Sequence, residues 1–268
     1  MQQEKPKKRK SFLRRNFDFL LILLVLLPLF YLYGLFYPVS PFEPREESFA
    51  PYERHYHFSF RFPFVTSYFL MVPENYQPEK HTYPLVLMLH GASRHMYGGK
   101  VLARPIMREN LPFFAVIPIM PFGYTWASPK TFSLRPQALP LAMSTMRSVM
   151  KNYSINENQV YVTGYSLGGI GTYAAVTRYP GVFAAAAPTD AYWNPETADR
   201  IDDVPIWIFH GVQDQGMPVA YARMLAAGLQ QLGRDVRYTE YANRGHGAWI
   251  PAYENPDFWM WLIRQQKH

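Results

Sequence analysis

Short apolar stretches alternate with longer segments of helical periodicity from about residue 56 to the end of the chain. Uninterrupted apolar runs bounded by proline or glycine are typical of strands that are buried on both faces. Apolar residues that recur every three or four positions indicate helices between these strands. The alternation therefore predicts an α/β fold with a mostly parallel sheet and helices on both faces. The predicted strands are 68–72, 84–89, 113–117, 160–163, 182–187, 205–209 and 236–241, and the predicted helices are 136–151, 167–179, 219–232 and 257–266.

A different pattern of polar and apolar residues precedes this domain. Residues 1–16 carry seven basic side chains against the single acid Glu4, and no charge occurs between Asp18 and Glu43. The apolar run between them is long enough to cross a hydrocarbon core of about 30 Å, and longer than the roughly 7–15 apolar residues of a signal peptide. A cleaved signal peptide and a buried core helix are the alternatives. We expect a basic cytoplasmic head (1–16), a transmembrane signal anchor (17–37), a proline-rich spacer (38–53) and a folded domain (54–268).

The basic head also predicts the topology of the chain. Because positive charge before a span stays on the cytoplasmic side, the N-terminus should be cytoplasmic and the folded domain extracytoplasmic, in the periplasm if the cell is Gram-negative. The net charge of +7 resides almost entirely in the head, so the rest of the chain is close to neutral. A nearly neutral domain lacks the electrostatic footprint of a nucleic-acid-binding protein.

Composition narrows the chemistry that is available to the domain. The chain contains no cysteine, which excludes disulfides, thiolate metal sites and a cysteine nucleophile. No histidine and acidic residues stand at metal-ligand spacing along the sequence, so we predict no metal site and no cofactor.

One glycine-flanked serine is a candidate nucleophile. Gly164, Ser166 and Gly168 form a G-x-S-x-G pattern directly after a predicted strand and directly before a predicted helix. A serine at such a sharp turn projects its oxygen outward, and the flanking glycines allow the backbones to approach closely. The alternative is a glycine-rich turn in which the serine only caps the helix. The strand–turn–helix context favours the nucleophile.

A serine nucleophile needs a base and an acid, which in this architecture follow it in the order Asp or Glu, then His. Asp214 lies in the loop after strand 205–209, and His246 lies in the loop after strand 236–241. Asp190 is the main rival for the role of the acid. Asp202 and Asp203 are the other candidates, and we expect them to cap or solvate a loop. His210, at a strand end, is expected to be structural.

The tetrahedral oxyanion formed in acyl transfer needs two backbone donors. The N–H of Leu167, directly after the serine, is the first candidate. The loop after strand 84–89 reads His90-Gly91-Ala92, and the N–H of Ala92 is the second.

Four segments resemble the α/β-hydrolase superfamily: Leu85–Gly91, Val160–Gly169, Pro205–Asp214 and Gly245–His246. More narrowly, they resemble its cap-less esterases, the group of feruloyl and acetyl-xylan esterases, dienelactone hydrolases and "predicted peptidase" proteins. The resemblance covers residues 85–265 and implies a twisted, mostly parallel sheet of about eight strands. It implies Ser166 as nucleophile, Asp214 as acid, His246 as base, and Ala92 and Leu167 as oxyanion donors. Met217 departs from the valine that relatives often have there, and the membrane anchor is unusual for the group.

These observations together predict a membrane-anchored serine hydrolase that cleaves carboxylic esters through an acyl-enzyme. A serine peptidase of the prolyl-oligopeptidase type and a catalytically silent hydrolase fold that serves as a binding module are the alternatives. The segment between Ala187 and Pro205 is too short for an independent helical cap, so we expect an open cleft and a small-molecule ester with a short or aryl acyl group, including sugar-linked esters. The candidate aromatic contacts for this substrate are Trp126, Tyr192, Trp193 and Trp249.

Overall fold

The computed structural model describes residues 50–59, 64–129 and 134–267. The predicted head and anchor, and residues 38–49 of the predicted spacer, lie outside the described residues. Among the helices within the described ranges, none is long and apolar enough to cross a membrane.

The fold is built on one eight-stranded sheet in the order β1-β2-β4-β3-β5-β6-β7-β8. β2 runs antiparallel to both β1 and β4, whereas the other neighbouring strands are parallel. The predicted α/β class and the count of about eight strands are therefore confirmed. The strands are β1 (Glu53–Ser59), β2 (Phe64–Met71), β3 (Tyr83–Leu89), β4 (Phe114–Pro118), β5 (Ile155–Tyr165), β6 (Ala185–Thr189), β7 (Ile206–Gly211) and β8 (Val236–Tyr241).

Helices cover both faces of the sheet, as the alternation predicts. They are α1 (Tyr97–Leu102), α2 (Pro105–Asn110), α3 (Leu139–Asn152), α4 (Leu167–Arg178), α5 (Val219–Gln231), α6 (Trp249–Glu254) and α7 (Pro256–Arg264), with a 3₁₀ helix at Pro195–Arg200. Helices α3, α4 and α5 bury their apolar sides in one core. Helices α1, α6 and α7 contribute to the other core, on the opposite face.

Three short helices and one strand differ from the sequence-based prediction. β1 begins at Glu53, the last residue of the predicted spacer, and pairs with β2 along its whole length. This edge strand alternates polar and apolar residues, so it lacks the continuous apolar run that marks the central strands. Helices α1, α2 and α6 have six residues each, too few for helical periodicity to show in the sequence.

Parallel strands place their carboxyl ends along one edge of the sheet. The loops after β3, β5, β6, β7 and β8 therefore open on the same side of the molecule. These loops carry the candidate oxyanion, nucleophile, acid and base residues.

Candidate active site

The turn between β5 and α4 holds Ser166 in a conformation that L-residues rarely adopt, with φ 56° and ψ −122°. Two backbone hydrogen bonds fix the turn: Ser166 N–H donates to Thr189 O at 3.0 Å, and Ile170 N–H donates to Ser166 O at 3.1 Å. A backbone strained in this way persists only where its surroundings determine it, which is common at active sites.

The flanking glycines of the turn are required by close backbone contacts. A Cβ atom at Gly164 would lie 2.5 Å from the backbone of Gly168, and one at Gly168 would overlap the carbonyl oxygen of Leu89. The end of β3 is thus packed directly against the start of α4. Any side chain at these positions would have to push the nucleophile turn away from the sheet.

The structure brings Ser166, His246 and Asp214 into one line of hydrogen bonds. His246 Nε2 lies 2.8 Å from Ser166 Oγ, and His246 Nδ1 lies 2.7 Å from Asp214 Oδ2. Because an ionised carboxylate only accepts hydrogen bonds, His246 Nδ1 carries the proton and donates it to Asp214. In the neutral ring Nε2 is then free to accept the hydroxyl proton of Ser166. This arrangement can activate the serine as a nucleophile.

The acid is fixed more firmly than the base. Asp214 is buried, and its Oδ1 accepts the backbone N–H groups of Gly216 at 2.9 Å and Met217 at 2.8 Å. The His246 side chain is 38% exposed. The imidazole therefore lies at the boundary between the buried carboxylate and solvent.

Asp190, the rival acid, has different partners. Its carboxylate is fully buried and accepts the N–H groups of Gly211 at 3.1 Å and Trp249 at 3.0 Å. Burial raises the pKa of Asp190, and these two hydrogen bonds oppose that rise. Asp202 and Asp203 lie in hydrogen bonds elsewhere: Asp202 accepts the N–H of Gly181 at 2.7 Å, and Asp203 pairs with Arg234.

His210 completes a buried polar group beside the acid. Its Nε2 lies 2.7 Å from Met217 O and 3.6 Å from Asp214 Oδ2. Ligand atoms of Asp190, His210 and Asp214 all lie within 4.8 Å of one another, a grouping with metal-ligand spacing that the sequence does not reveal because three different loops and strands supply it. Each carboxylate oxygen of the pair already faces an N–H donor or a histidine nitrogen. Within the described residues, His210 Nδ1 is buried without a hydrogen-bond partner.

The two candidate oxyanion donors lie on adjoining segments. Leu167 is the first residue of α4, and Ala92 follows β3 by three residues. Within the described residues, neither backbone N–H has a hydrogen-bond acceptor. Gly91 lies against the ring of Tyr165, the residue before Ser166, so closely that a Cβ atom would come within 2.5 Å of Tyr165 Cε2. The Ala92 loop is therefore a direct neighbour of the nucleophile turn.

The four aromatic candidates divide into two groups. Trp126 and Trp193 are only 1% and 5% exposed. Trp126 donates its Nε1–H to His90 O at 2.8 Å, and Trp193 stacks on Tyr173. The prediction that these two rings line the cleft is wrong, because both belong to the core.

Tyr192 and Trp249 remain half-buried at the carboxyl edge of the sheet. Trp249 packs against Tyr165 and Tyr97, with ring centroids 4.7 and 5.2 Å apart. Tyr192 packs against Tyr221 at 5.6 Å. Each has part of its ring available to a ligand.

A polar link across the site is not visible in the sequence. Glu254 on α6 accepts hydrogen bonds from Tyr97 and, through both carboxylate oxygens, from Arg104. It therefore ties the segment after the Ala92 loop to the helix that follows the His246 loop. The partners are about 150 residues apart, so no local pattern signals the contact.

The fold and the Ser166–His246–Asp214 arrangement define an α/β-hydrolase. No family model matches the chain. A thermostable esterase of known crystal structure is 31% identical, with a TM-score of 0.76 over 82% of this chain and 64% of that one. These similarities indicate an α/β-hydrolase fold of the esterase type.

Two further comparisons find similar proteins. Poly(3-hydroxyalkanoate) depolymerase C of Paucimonas lemoignei is 32% identical over 130 residues, which make up 43% of this chain and 31% of the depolymerase. A ferulic acid esterase shares the fold with a TM-score of 0.65 and 14% identity, over 80% of this chain and 97% of that one. The chain spans less than a third of the length of the curated relatives it matches.

Proposed function

We propose that the protein is a serine esterase that hydrolyses carboxylic esters through an acyl-enzyme. The observation that carries this proposal is the unbroken line from Ser166 Oγ through His246 to Asp214, with contacts of 2.8 and 2.7 Å. Geometry of this kind activates a serine, whereas a merely structural serine needs no aligned base and acid.

The hydrogen bonds of the resting site support the following reaction. Ser166 Oγ attacks the acyl carbon while His246 Nε2 takes the hydroxyl proton, and Asp214 stabilises the imidazolium that forms. The N–H groups of Ala92 and Leu167 stabilise the tetrahedral oxyanion. His246 then gives the proton to the departing alcohol, and the acyl group stays on Ser166. Water, deprotonated by the same imidazole, attacks the acyl-enzyme and releases the acid.

The segment between β6 and β7 supports a short or aryl ester as substrate. Every residue of this segment is described, and its one helical element is the 3₁₀ helix Pro195–Arg200. No helical cap covers the cleft from that segment, so a long acyl chain would lack the enclosed groove that binds it. Half-buried Trp249 and Tyr192 offer flat surfaces for an aryl acyl group or a sugar ring. One relative is named as a depolymerase of poly(3-hydroxyalkanoate), which is itself a chain of carboxylic esters.

A substrate panel with full-length protein in detergent tests the proposal. We expect a fluorophosphonate probe to label the protein but not its Ser166→Ala variant. We expect kcat/KM to be higher for p-nitrophenyl acetate and methyl ferulate than for p-nitrophenyl palmitate. Faster hydrolysis of palmitate would contradict the open cleft. Cleavage of peptide anilides faster than all esters would indicate the peptidase, and a protein without labelling or turnover would be a silent fold.

We further propose that residues 17–37 anchor the esterase to a membrane with the catalytic domain on the extracytoplasmic side. The basic residues before the apolar run and the uncharged stretch after it support this orientation. An alkaline phosphatase fused to the C-terminus should be active in a bacterial host. Complete protection of the domain from protease in intact spheroplasts would contradict the proposed orientation.

A further inference from the structure

His90, at the end of β3, is hydrogen-bonded through both ring nitrogens although it is only 2% exposed. Its Nε2 lies 3.1 Å from the backbone nitrogen of Met120, and its Nδ1 lies 2.8 Å from the carbonyl oxygen of Gly91. A backbone N–H can only donate, so Nε2 must be unprotonated to accept it. Nδ1 therefore carries the proton and donates it to Gly91 O. Burial lowers the pKa of His90 to about 4, so the ring stays neutral and keeps this tautomer at neutral pH.

The position of the Gly91 carbonyl determines the direction of the next N–H. The Gly91–Ala92 peptide bond is trans, since the only cis bond of the described chain is Ala50–Pro51. In a planar trans peptide the C=O of one residue and the N–H of the next point in opposite directions. The His90 Nδ1–H and the Arg94 N–H both hold Gly91 O, the latter at 3.1 Å. They thereby fix the direction of the Ala92 N–H.

The imidazole is itself held in place from outside its own loop. Trp126 donates its Nε1–H to His90 O, and its ring lies edge-on to the imidazole at 5.1 Å. Together with the Met120 N–H, this contact locks the ring against the segment that follows β4. The tautomer and the orientation of His90 are thus properties of the folded core and do not depend on a ligand.

We propose that His90 is a positioning residue of the oxyanion hole: its Nδ1–H aligns the Gly91–Ala92 peptide so that the Ala92 N–H meets the developing oxyanion. The proposal rests on the esterase function and on the role of Ala92 in it. His90 touches no substrate atom and takes no part in proton transfer. Its contribution should grow as the carbonyl oxygen gains charge, so it should affect kcat and not KM.

Two substitutions distinguish the role of His90 Nδ1 from that of Nε2. In His90→Asn the side-chain amide nitrogen can occupy the position of Nδ1 and donate to Gly91 O. In His90→Gln the amide oxygen can reach the position of Nε2 and accept from Met120, but no side chain donates to Gly91 O, which keeps only the Arg94 N–H. Both variants remove the same ring, so a purely structural role predicts similar losses in both.

We expect His90→Asn to keep kcat within about tenfold of the unmodified protein. We expect His90→Gln to lower kcat by about 10²–10³, the loss typical of one missing oxyanion donor, at nearly unchanged KM. The inhibition constant of an aryl trifluoromethyl ketone, whose serine adduct carries the oxyanion, should rise in parallel with the loss of kcat. An Ala92→Pro variant removes the N–H itself, and adding His90→Gln to it should cause little further loss.

Equal losses in the Asn and Gln variants, or full activity in the Gln variant, would overturn the positioning role while the esterase function stands. Absence of ester turnover in the unmodified protein would remove the esterase proposal, and this one with it. A measurement that needs no variant is the ¹⁵N spectrum of histidine-labelled protein at pH 7. His90 should appear as the Nδ1–H tautomer, and the Nε2–H tautomer would overturn the proposal.

Discussion

The carboxylate of Asp190 accepts the backbone N–H of Trp249 at 3.0 Å, three residues beyond His246. Its other oxygen accepts the N–H of Gly211, where the loop that carries Asp214 begins. One buried carboxylate therefore joins the loop of the acid to the loop of the base. Both oxygens of Asp190 are occupied by these backbone groups. Asp214, and not Asp190, therefore accepts the hydrogen bond from His246 Nδ1.

The division of roles between the two acids can be tested with isosteric amides. Asp214→Asn should lower kcat by about 10⁴, because an amide no longer holds His246 in the required tautomer. Asp190→Asn should lower kcat by only about 10- to 100-fold, because one of its two backbone contacts is lost and the His246 loop shifts. Steady-state kinetics on p-nitrophenyl acetate measure both effects. Near-normal turnover in Asp214→Asn with an inactive Asp190→Asn would transfer the role of the acid to Asp190.

The nucleophile turn should not tolerate one additional methyl group. In Gly168→Ala the new Cβ would overlap the carbonyl oxygen of Leu89, so α4 must move away from β3. We expect a loss of about 1–3 kcal/mol in the free energy of unfolding and a large fall in kcat, since Ser166 moves with the helix.

Gly228→Ala is the matched control. Gly228 lies within α5, and a Cβ atom there would meet its nearest neighbour at an ordinary 3.5 Å. Alanine favours the helix, so this variant should be more stable by about 0.5–1 kcal/mol and fully active. Urea unfolding and kcat measured on both variants decide the matter. A Gly168→Ala protein as active as Gly228→Ala would show that the close approach of α4 and β3 is dispensable.

Stability should depend on pH through His90. Its pKa in the folded protein, about 4, lies below the ordinary value of 6.5, so between these values the unfolded chain binds a proton that the folded chain does not. The contribution of His90 to the free energy of unfolding is therefore fully present above pH 6.5. It falls as the pH drops toward 4, by roughly 3 kcal/mol in total. Urea unfolding at pH 7.5 and pH 5 should show a smaller decrease for His90→Asn than for the unmodified protein. Equal decreases would indicate that His90 is not kept neutral by burial.

Two tryptophans should respond differently to replacement by phenylalanine. Trp126→Phe leaves the buried His90 carbonyl without its donor and should cost about 1–3 kcal/mol of stability. Trp249→Phe should change stability little but raise KM for methyl ferulate several-fold relative to KM for p-nitrophenyl acetate. An unchanged KM ratio in Trp249→Phe would remove this ring from the substrate site.

The central parallel strands could be predicted from sequence because they are buried on both faces. β3 and β4, for example, are almost wholly apolar. β8 is only partly buried, yet its predicted bounds, 236–241, are those of the structure. The sequence does not predict β1, because it is an antiparallel edge strand in which polar and apolar side chains alternate. A local sequence pattern does not show which strand an edge strand such as β1 pairs with.

The residues of the candidate site were accessible to sequence reasoning to different degrees. Ser166, Asp214 and His246 each follow a recognisable strand, so strand order alone places them at one edge of the sheet. Trp126 and Trp193 also follow strands, yet the burial of their side chains depends on how their loops pack against the core. Asp190 and His90 act through backbone groups that become their neighbours only in the folded chain. Functional residues that directly follow a strand could thus be predicted from sequence. Residues whose role depends on tertiary hydrogen bonds could not.

Among the described strands, β8 is the outermost of the sheet on its side and pairs with β7 alone, and none of its side chains is fully buried. The loop that carries His246 follows this strand directly. Strands held on one side open locally at a lower free energy than the centre of a domain. Local opening of β8 would move His246, the general base, away from Ser166, while Ser166 and its turn in the middle of the sheet stay folded. Mild heating or moderate urea should thus silence ester turnover before the global fold is lost, and activity should return on cooling or dilution.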